Sequence, residues 1–180
     1  MIAETPRLIL REWREDDRDW AAAQSACPIV MEHLGGPQDR AASDARIDRM
    51  IALQAQRGHG FWVIERKADG VAIGTCGLKL IDAVGAPLQG ELEIGWRIAR
   101  ETWGQGYARE AAAASLDFAF RRLDAERIVS ITSERNRASW GLMERLGLTR
   151  RHALDFHDAR FPPEDNPTIV YVIERAAWTA

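Results

Sequence analysis

Several short segments of the chain are mostly apolar, with the β-branched and aromatic residues typical of strands. Residues 8–13 form one such segment, and Pro6 precedes it at a point where proline removes no ladder hydrogen bond. Residues 61–66 and 71–80 form two more, and the Asp-Gly pair between them is a strong hairpin signal. The pattern predicts an opening strand and, later, an antiparallel hairpin.

Apolar residues take helical spacing in other segments. Residues 15–26 begin with acidic side chains and then become alanine-rich, which predicts a first helix that Pro28 limits. A second helix is predicted to begin at Ser43 as its N-cap and to end at Gly58. A third, alanine-rich helix is predicted over residues 107–123.

A strand-like segment with two distinct faces is predicted at residues 91–98. One face carries polar or small residues and the other apolar residues: Glu91, Glu93, Gly95 and Arg97 against Leu92, Ile94, Trp96 and Ile98. The polar face needs a functional or structural explanation. The elements predicted after it are a strand at 127–132, a helix at 136–146 and closing strands at 148–156 and 168–174.

Length and composition are those of a single mixed α/β domain over residues 1–180. The chain has 180 residues, 46% of them hydrophobic, without a repeat or an interdomain linker. Its 24 Lys and Arg against 27 Asp and Glu give a net charge of −3, which disfavours nucleic-acid binding. No run approaches the ~20 apolar residues of a membrane span, and the N-terminus lacks a signal-peptide pattern. We therefore expect a cytoplasmic protein without nucleic-acid or membrane partners.

The cysteines and histidines do not have the spacing of metal ligands. The chain has 2 cysteines, Cys27 and Cys76, without C-x-x-C spacing, and its 4 histidines are scattered. We expect neither a disulfide scaffold nor a bound metal ion, and we interpret both cysteines as buried structural thiols.

A glycine-rich turn carries the clearest chemical signal. The hexapeptide Trp-Gly-Gln-Gly-Tyr-Ala, which begins at Trp103, follows one predicted strand and opens a predicted helix. Main-chain N–H groups and the helix dipole make such a place an anion site, and phosphate is the obvious ligand. The dinucleotide pattern fails because Arg109 stands where a third glycine belongs, and no Walker Gly-Lys-Ser/Thr follows. A tight turn with only a packing role is the alternative.

The turn and other segments resemble the GNAT superfamily of acyl-CoA-dependent N-acyltransferases. The family's phosphate signature, Gln/Arg-x-x-Gly-x-Gly/Ala, is matched at Gly106 and Ala108, with Trp103 in place of its first residue. With this tryptophan, the turn resembles that of the RimJ/RimL-like branch, which contains the ribosomal-protein N-terminal acetyltransferases. A second signature, an asparagine followed eleven residues later by Gly-Phe, is met by Asn136 and by the Gly-Leu pair at Gly147. The opening Thr-Pro-Arg-Leu-Ile-Leu-Arg and the closing Val-Tyr-Val-Ile extend the resemblance over nearly the whole chain.

The resemblance implies acetyl-CoA as cosubstrate and a mostly antiparallel central sheet, flanked by helices, that splays at the cofactor site. The pyrophosphate is expected on main-chain amides of the turn, and the pantetheine along the strand from Glu91. A main-chain N–H near Trp96 or Ile98 is expected to polarise the thioester carbonyl. Acetyl transfer is expected to be direct, without an acyl-enzyme. The expected cofactor-binding residues are Trp96, Arg97, Ile98, Trp103, Gly104, Gln105, Gly106, Tyr107, Ala108, Arg109, Asn136 and Ser139.

An amine attacks a thioester only when it is neutral, so some group must accept a proton. Glu93, on the polar face of the strand before the turn, is the leading candidate base, and Glu91 is the second. His33 and His59 flank the second predicted helix, where many family members build the acceptor pocket, and they are further candidates. A salt-bridged, capping or surface role is the competing interpretation for each of these residues.

The departing thiolate gains from a proton donor. Many family members place a tyrosine seven residues after the asparagine, but Met143 stands there in this chain. The resemblance implies Ser139 as the substitute, and the competing interpretation is an ordinary first-turn residue. Asn136 is expected to bind the pantetheine amide, to cap the helix, or to do both.

The expected function is acetyl transfer from acetyl-CoA to a primary amine, either a protein N-terminal α-amine or the amine of a small molecule. A non-catalytic acyl-CoA-binding sensor or interaction module is the alternative, because the tyrosine is missing. The sequence does not identify the acceptor, since family and fold leave the substrate open. The tail at residues 168–178 is a candidate contact between two copies in a homodimer.

Overall fold

A computed structural model gives the structure of residues 1–83 and 85–179. The strands are β1 (Ala3–Glu4), β2 (Leu8–Arg11), β3 (Phe61–Arg66), β4 (Val71–Leu80), β5 (Leu92–Ile98), β6 (Arg127–Ser133), β7 (Thr149–Arg150) and β8 (Thr168–Glu174). The α-helices are α1 (Asp17–Ala26), α2 (Pro28–Met31), α3 (Arg40–Arg57), α4 (Tyr107–Arg122) and α5 (Arg137–Arg145).

The strands form an eight-stranded, mostly antiparallel sheet flanked by helices, in the order β1-β2-β3-β4-β5-β6-β8-β7. The mixed α/β class predicted from the sequence is thereby confirmed. Two compact units make up the chain: Met1–Gly77 with Trp96–Ser115, and Leu78–Gly95 with Leu116–Ala180. Strands β4 and β5 and helix α4 contribute residues to both units.

In the first unit, the predicted hairpin is confirmed. Strands β3 and β4 pair antiparallel, and the turn between them contains Gly70 at φ +70, a left-handed conformation that glycine adopts without a Cβ clash. Strand β2 pairs antiparallel with β3. The fully buried side chains of this unit's core include Leu8, Leu10, Met31, Ile47, Trp62 and Ile64.

Helix α3 begins earlier than the sequence suggested. Asp39, not Ser43, is its N-cap, and the Asp39 carboxylate accepts a hydrogen bond from the Ala42 N–H at 2.8 Å. Ser43 lies inside the helix and is buried, with its hydroxyl 3.2 Å from that of Ser25 on α1. The prediction was wrong because both residues are good caps and only packing against α1 determines which one is solvent-exposed.

In the second unit, β6 pairs antiparallel with β8 along seven residues. Strands β5 and β6 pair in parallel, and in the described chain their one register pair is Glu93 opposite Val129. This short parallel contact contrasts with the long antiparallel pairing of β6 and β8.

The closing strand predicted at 148–156 is mostly wrong. Only Thr149–Arg150 is a strand, and a 3₁₀ turn at His152–Leu154 follows it. The Arg150 guanidinium forms an ion pair with Asp155, 2.6 Å between Nη2 and Oδ2. Asp155 Oδ1 also accepts a hydrogen bond from the Val170 N–H of β8. The segment pairs with β8 again only at an isolated bridge between Phe156 and Thr168, so these tertiary contacts accompany an interruption of the predicted strand.

Within the described residues, no helix combines the length and the apolar character needed to cross a bilayer.

Candidate active site

The turn from Trp103 to Arg109 presents a row of main-chain donors to solvent. Gly104 and Gly106 have φ of +73 and +81, and residues 103–106 are exposed. Among the described residues, none accepts a hydrogen bond from the main-chain N–H groups of residues 104–109. The turn opens α4, a helix of 16 residues whose dipole adds positive potential at this end. These donors suit a bound anion such as a phosphate group.

Arg7 braces the turn from the opening strand region. Its Nε donates to Glu110 Oε2 at 2.6 Å, and its Nη1 donates to the main-chain oxygen of Gln105 at 2.9 Å. Its guanidinium also lies over the ring of Tyr107, 4.6 Å from the centroid. Thr5 Oγ1 donates to the other oxygen of Glu110 at 2.6 Å. The turn is therefore held in shape by a segment distant in sequence, and sequence reasoning missed this role.

Replacement of Arg7 by methionine is expected to weaken acetyl-CoA binding about tenfold, which corresponds to ~1.4 kcal/mol. The variant loses the charge-assisted hydrogen bonds that hold the Gln105 carbonyl and the first turn of α4. Calorimetric titration of acetyl-CoA measures the change. Arg57→Met, at the exposed last residue of α3, is the matched control and keeps wild-type affinity. Wild-type affinity in the Arg7 variant would rule out the bracing role.

Strand β5 leads directly into this turn. Trp103 is 49% exposed, and its indole Nε1 donates to the main-chain oxygen of Ile98 at 2.8 Å. Gly74 of β4 faces the same place, and a Cβ there would lie 2.6 Å from the Arg97 main-chain oxygen. The end of β5 is thus fixed on β4, with half-buried Trp96 and Arg97 and buried Ile98. These residues and the turn belong to the same unit.

Glu93 is buried, which contradicts the competing interpretation of this residue as a surface carboxylate. Only 8% of the residue is exposed, and its Oε2 lies 3.5 Å from Lys79 Nζ. In the described chain, Oε2 is a buried oxygen without a hydrogen bond. Burial raises the pKa of Glu93, while the charge of Lys79 acts in the opposite direction. A carboxylate with a raised pKa is a stronger proton acceptor than an exposed one.

Glu91, the second candidate base, is in a different environment. It forms a salt bridge with Arg127, with 3.0 Å between Arg127 Nε and Glu91 Oε2. That hydrogen bond lowers the pKa of Glu91. A carboxylate stabilised in its charged form is a weaker base, so the geometry favours Glu93 over Glu91.

Asn136 caps helix α5. Its Oδ1 accepts a hydrogen bond from the Ser139 N–H at 3.2 Å, so the capping role predicted from the sequence is confirmed. Ser139 is half-buried on the first turn of the helix, and Met143 is buried one turn later. Asn136, Ser139 and Glu93 belong to the second unit.

The remaining candidates differ in burial. His59 is buried and His33 is half-buried, and both interact with neighbouring groups. Both cysteines carry free thiols, and Cys76 is buried as predicted, but the prediction was wrong for Cys27, which is only half-buried. Burial raises the pKa of Cys76 to about 12, and its Sγ lies 3.3 Å from Ser115 Oγ. Cys76 is therefore a protonated structural thiol at neutral pH, as the sequence predicted.

The fold and the site define the class of protein. A mostly antiparallel sheet with one short parallel contact, together with a donor-lined turn that opens a helix, matches the arrangement implied for acyl-CoA N-acyltransferases. Residues 7–149 match the acetyltransferase (GNAT) domain family. The chain therefore belongs to the GNAT family, and it is an acetyl-CoA-dependent N-acetyltransferase.

Relatives cover most of the chain. The uncharacterized N-acetyltransferase p20 of Bacillus licheniformis is 31% identical over 161 residues, 87% of this chain and 87% of that protein. An acetyltransferase structure from Agrobacterium tumefaciens str. C58 has a TM-score of 0.78 at 30% identity, covering 96% of this chain and 93% of that one. Spermidine N-acetyltransferase from Vibrio cholerae, in complex with CoA and spermine, shares the fold at a TM-score of 0.76 and 18% identity, covering 96% and 98%.

The residues of the turn fit acetyl-CoA. The N–H groups of residues 104–109 supply donors for a pyrophosphate, and the two glycines leave the main chain open to it. Within residues 1–83 and 85–179, no three His, Cys, Asp or Glu side chains are placed to hold a metal ion.

Proposed function

We propose that this enzyme transfers the acetyl group of acetyl-CoA directly to a primary amine, and that residues 1–180 form one catalytic domain. The observation that carries the proposal is the row of main-chain N–H groups at residues 104–109, which have no acceptor within residues 1–83 and 85–179 and lie on a turn braced by Arg7. We assign the chain to the RimJ/RimL-like branch because Trp103 and Ser139 stand where that branch has them. The acceptor amine is then a protein N-terminus or a small molecule.

The cofactor supplies an activated acetyl thioester, and the protein orients it. We assign the pyrophosphate to the amides of residues 104–109. The pantetheine is assigned to the main chain of β5 at residues 96–98 and to the side chain of Asn136. A main-chain N–H at Trp96 or Ile98 donates to the thioester carbonyl oxygen and stabilises the negative charge that develops there.

Glu93 is assigned as the general base. At neutral pH most of an α-amine or a lysine amine is protonated, so the acceptor must lose a proton before or during attack. Glu93 takes that proton, directly or through a water molecule, and its raised pKa improves its match to the amine. The N–C bond then forms while the C–S bond breaks. The Ser139 hydroxyl donates a proton to the departing sulfur, and the second proton that the attacking nitrogen releases restores that hydroxyl through water.

Two measurements on the wild-type protein test the proposal. Calorimetric titration is expected to show micromolar binding of acetyl-CoA, and thiol release is expected with at least one acceptor from a panel of N-terminal peptides and small amines. Absence of acetyl-CoA binding would overturn the assignment of the turn. Binding without thiol release on the whole panel would favour a non-catalytic acyl-CoA sensor.

The proposal also covers the cellular location and the oligomeric state of the enzyme. We infer that the enzyme is cytoplasmic and that it forms a homodimer, which sedimentation tests. Strand β8 lies between β6 and β7, and residues 168–173 are buried there. A contact between copies through the C-terminal tail therefore has to use residues beyond Ile173.

A further inference from the structure

Two arginines from distant parts of the chain converge on one serine in the first unit. Arg46 of α3 donates from Nη2 to Ser25 Oγ at 2.6 Å, and Arg97 of β5 donates from Nη1 to the same oxygen at 3.4 Å. Arg97 Nη1 also lies 3.4 Å from the sulfur of Met31. Ser25 uses its own hydroxyl proton to bond the Ala21 carbonyl at 2.7 Å. Most N–H groups of the two guanidiniums therefore have no hydrogen-bond acceptor among the described residues.

Neither arginine has an acidic partner among the described residues. The acids of α1 and α3 are used elsewhere. Arg18 forms ion pairs with Glu15 and Asp48, and Arg40 pairs with Asp19 and Asp44. Other arginines therefore neutralise these acids, and in the described chain Arg46 of α3 and Arg97 of β5 are left without an acidic partner.

These cations are also partly withdrawn from water. Burial lowers the pKa of Arg97 to about 9, and the neighbouring charge of Arg46 adds to the effect. Burial lowers the pKa of Arg46 as well. Both guanidiniums remain charged at neutral pH, and two like charges held together in a poorly hydrated place are costly without an anion. Guanidinium forks match the geometry of a carboxylate.

The position of the pair connects it to the reaction. Arg97 lies between Trp96 and Ile98, the segment to which we assign the pantetheine and the polarised carbonyl. Arg97 contacts Ser25 of α1 and Met31 of α2, and Arg46 of α3 contacts the same serine. An anion held here lies beside the strand to which we assign the acetyl group.

We propose that Arg46 and Arg97 bind the carboxylate of the acceptor, so that the substrates are small amines that carry a carboxylate, such as amino acids. The inference rests on the proposed function and narrows its acceptor. A polyamine would place further positive charge against the two guanidiniums, so spermidine is a poor acceptor. The proposal thus separates this enzyme from the spermidine N-acetyltransferase that shares its fold.

The test compares amino acids with their amides as acceptors, because amidation removes the carboxylate and keeps the amine. Thiol release is measured with the standard L-amino acids, their C-terminal amides and spermidine. We expect each accepted amino acid to exceed its amide at least tenfold in kcat/KM, as a bidentate charged contact allows. Amidation lowers the pKa of the α-amine, so this preference cannot arise from amine reactivity.

Three variants test whether Arg46 and Arg97 cause the preference for amino acids over their amides. Arg46→Met and Arg97→Met are expected to bring the acid-to-amide ratio within about twofold of unity, mainly through KM for the acid. Arg49→Met, an exposed arginine on the same helix, keeps the wild-type ratio. Amides or spermidine used as well as the acids, or an unchanged ratio in Arg46→Met, would overturn the proposal. Loss of acetyl-CoA affinity in Arg46→Met equal to the loss for the acid would also overturn it, since the pair would then bind the cofactor.

If no acceptor is turned over, binding of the amino acids and of their amides tests the carboxylate site. In the presence of CoA, the amino acids are expected to raise the melting temperature of wild type and Arg49→Met more than their amides do. Equal shifts contradict the carboxylate site. Failure of the proposed function is seen separately, as absent acetyl-CoA binding in the wild type.

Discussion

Replacement of Gly106 by glutamate is expected to weaken acetyl-CoA and CoA binding at least 100-fold, about 2.7 kcal/mol. Gly106 has φ +81, where an L side chain is strained, and a Cβ there would lie 3.4 Å from Arg7 Nη2. The new carboxylate would place a negative charge among the amide donors that are assigned to the pyrophosphate. It would also compete for the arginine that braces the turn. Calorimetric titration of both ligands measures the loss.

Gly58→Glu is the matched control for this prediction. Gly58 has φ +72 as the C-cap of α3, and a Cβ there meets nothing within 4 Å. The control therefore adds the same charge and similar backbone strain away from the cofactor turn. We expect it to lower the melting temperature slightly and to leave acetyl-CoA affinity within about threefold of wild type. Similar binding by Gly106→Glu and wild type would show that residues 104–109 do not hold the cofactor.

The second large effect is expected at Glu93. Glu93→Gln preserves the shape of the side chain and removes the proton acceptor, so kcat is expected to fall about 100-fold or more. KM for acetyl-CoA stays within about threefold, because the substitution leaves the turn intact. Lys79 keeps its 2.7 Å contact with Asp82 in the variant, which limits the effect on stability. Steady-state kinetics with an accepted amine measures the change.

The pH profile of the wild type provides an independent readout. A general base acts when it is deprotonated, so kcat falls as pH drops through the pKa of Glu93. Burial raises that pKa, and the decline therefore begins at a higher pH than for an ordinary carboxyl group. Glu93→Gln is expected to lose this acidic limb. Glu91→Gln, which breaks the pair with Arg127, is expected to keep both the limb and kcat.

A reversed result would reassign the base. If Glu91→Gln lost the acidic limb while Glu93→Gln kept wild-type kcat, the hydrogen bond to Arg127 would be part of the mechanism and Glu93 a structural residue. If both variants kept most of their kcat and the acidic limb, His33 and His59 would become the candidate bases.

The sequence alone determined the local features of this protein. The hairpin turn at Gly70, the glycines of the cofactor turn and the cap at Asn136 depend on backbone conformation within a few residues, and that information is local. Strand-like apolar runs and helical spacing likewise placed β3, β4, α4 and β8 close to their observed bounds. The spaced signatures at Gly106 and Asn136 were sufficient for the family, which the match over residues 7–149 confirms.

Only the tertiary structure determined the environment of each charge. Period-two alternation put Glu93 on a polar face, but packing buries it and gives it Lys79 as a partner. The contact of Arg7 with the cofactor turn and the convergence of Arg46 and Arg97 on Ser25 join residues far apart in sequence. No local sequence pattern encodes these long-range contacts, because the burial and the counter-ions of a side chain depend on which elements pack together. Those same quantities set the pKa values and anion affinities on which the proposed chemistry depends.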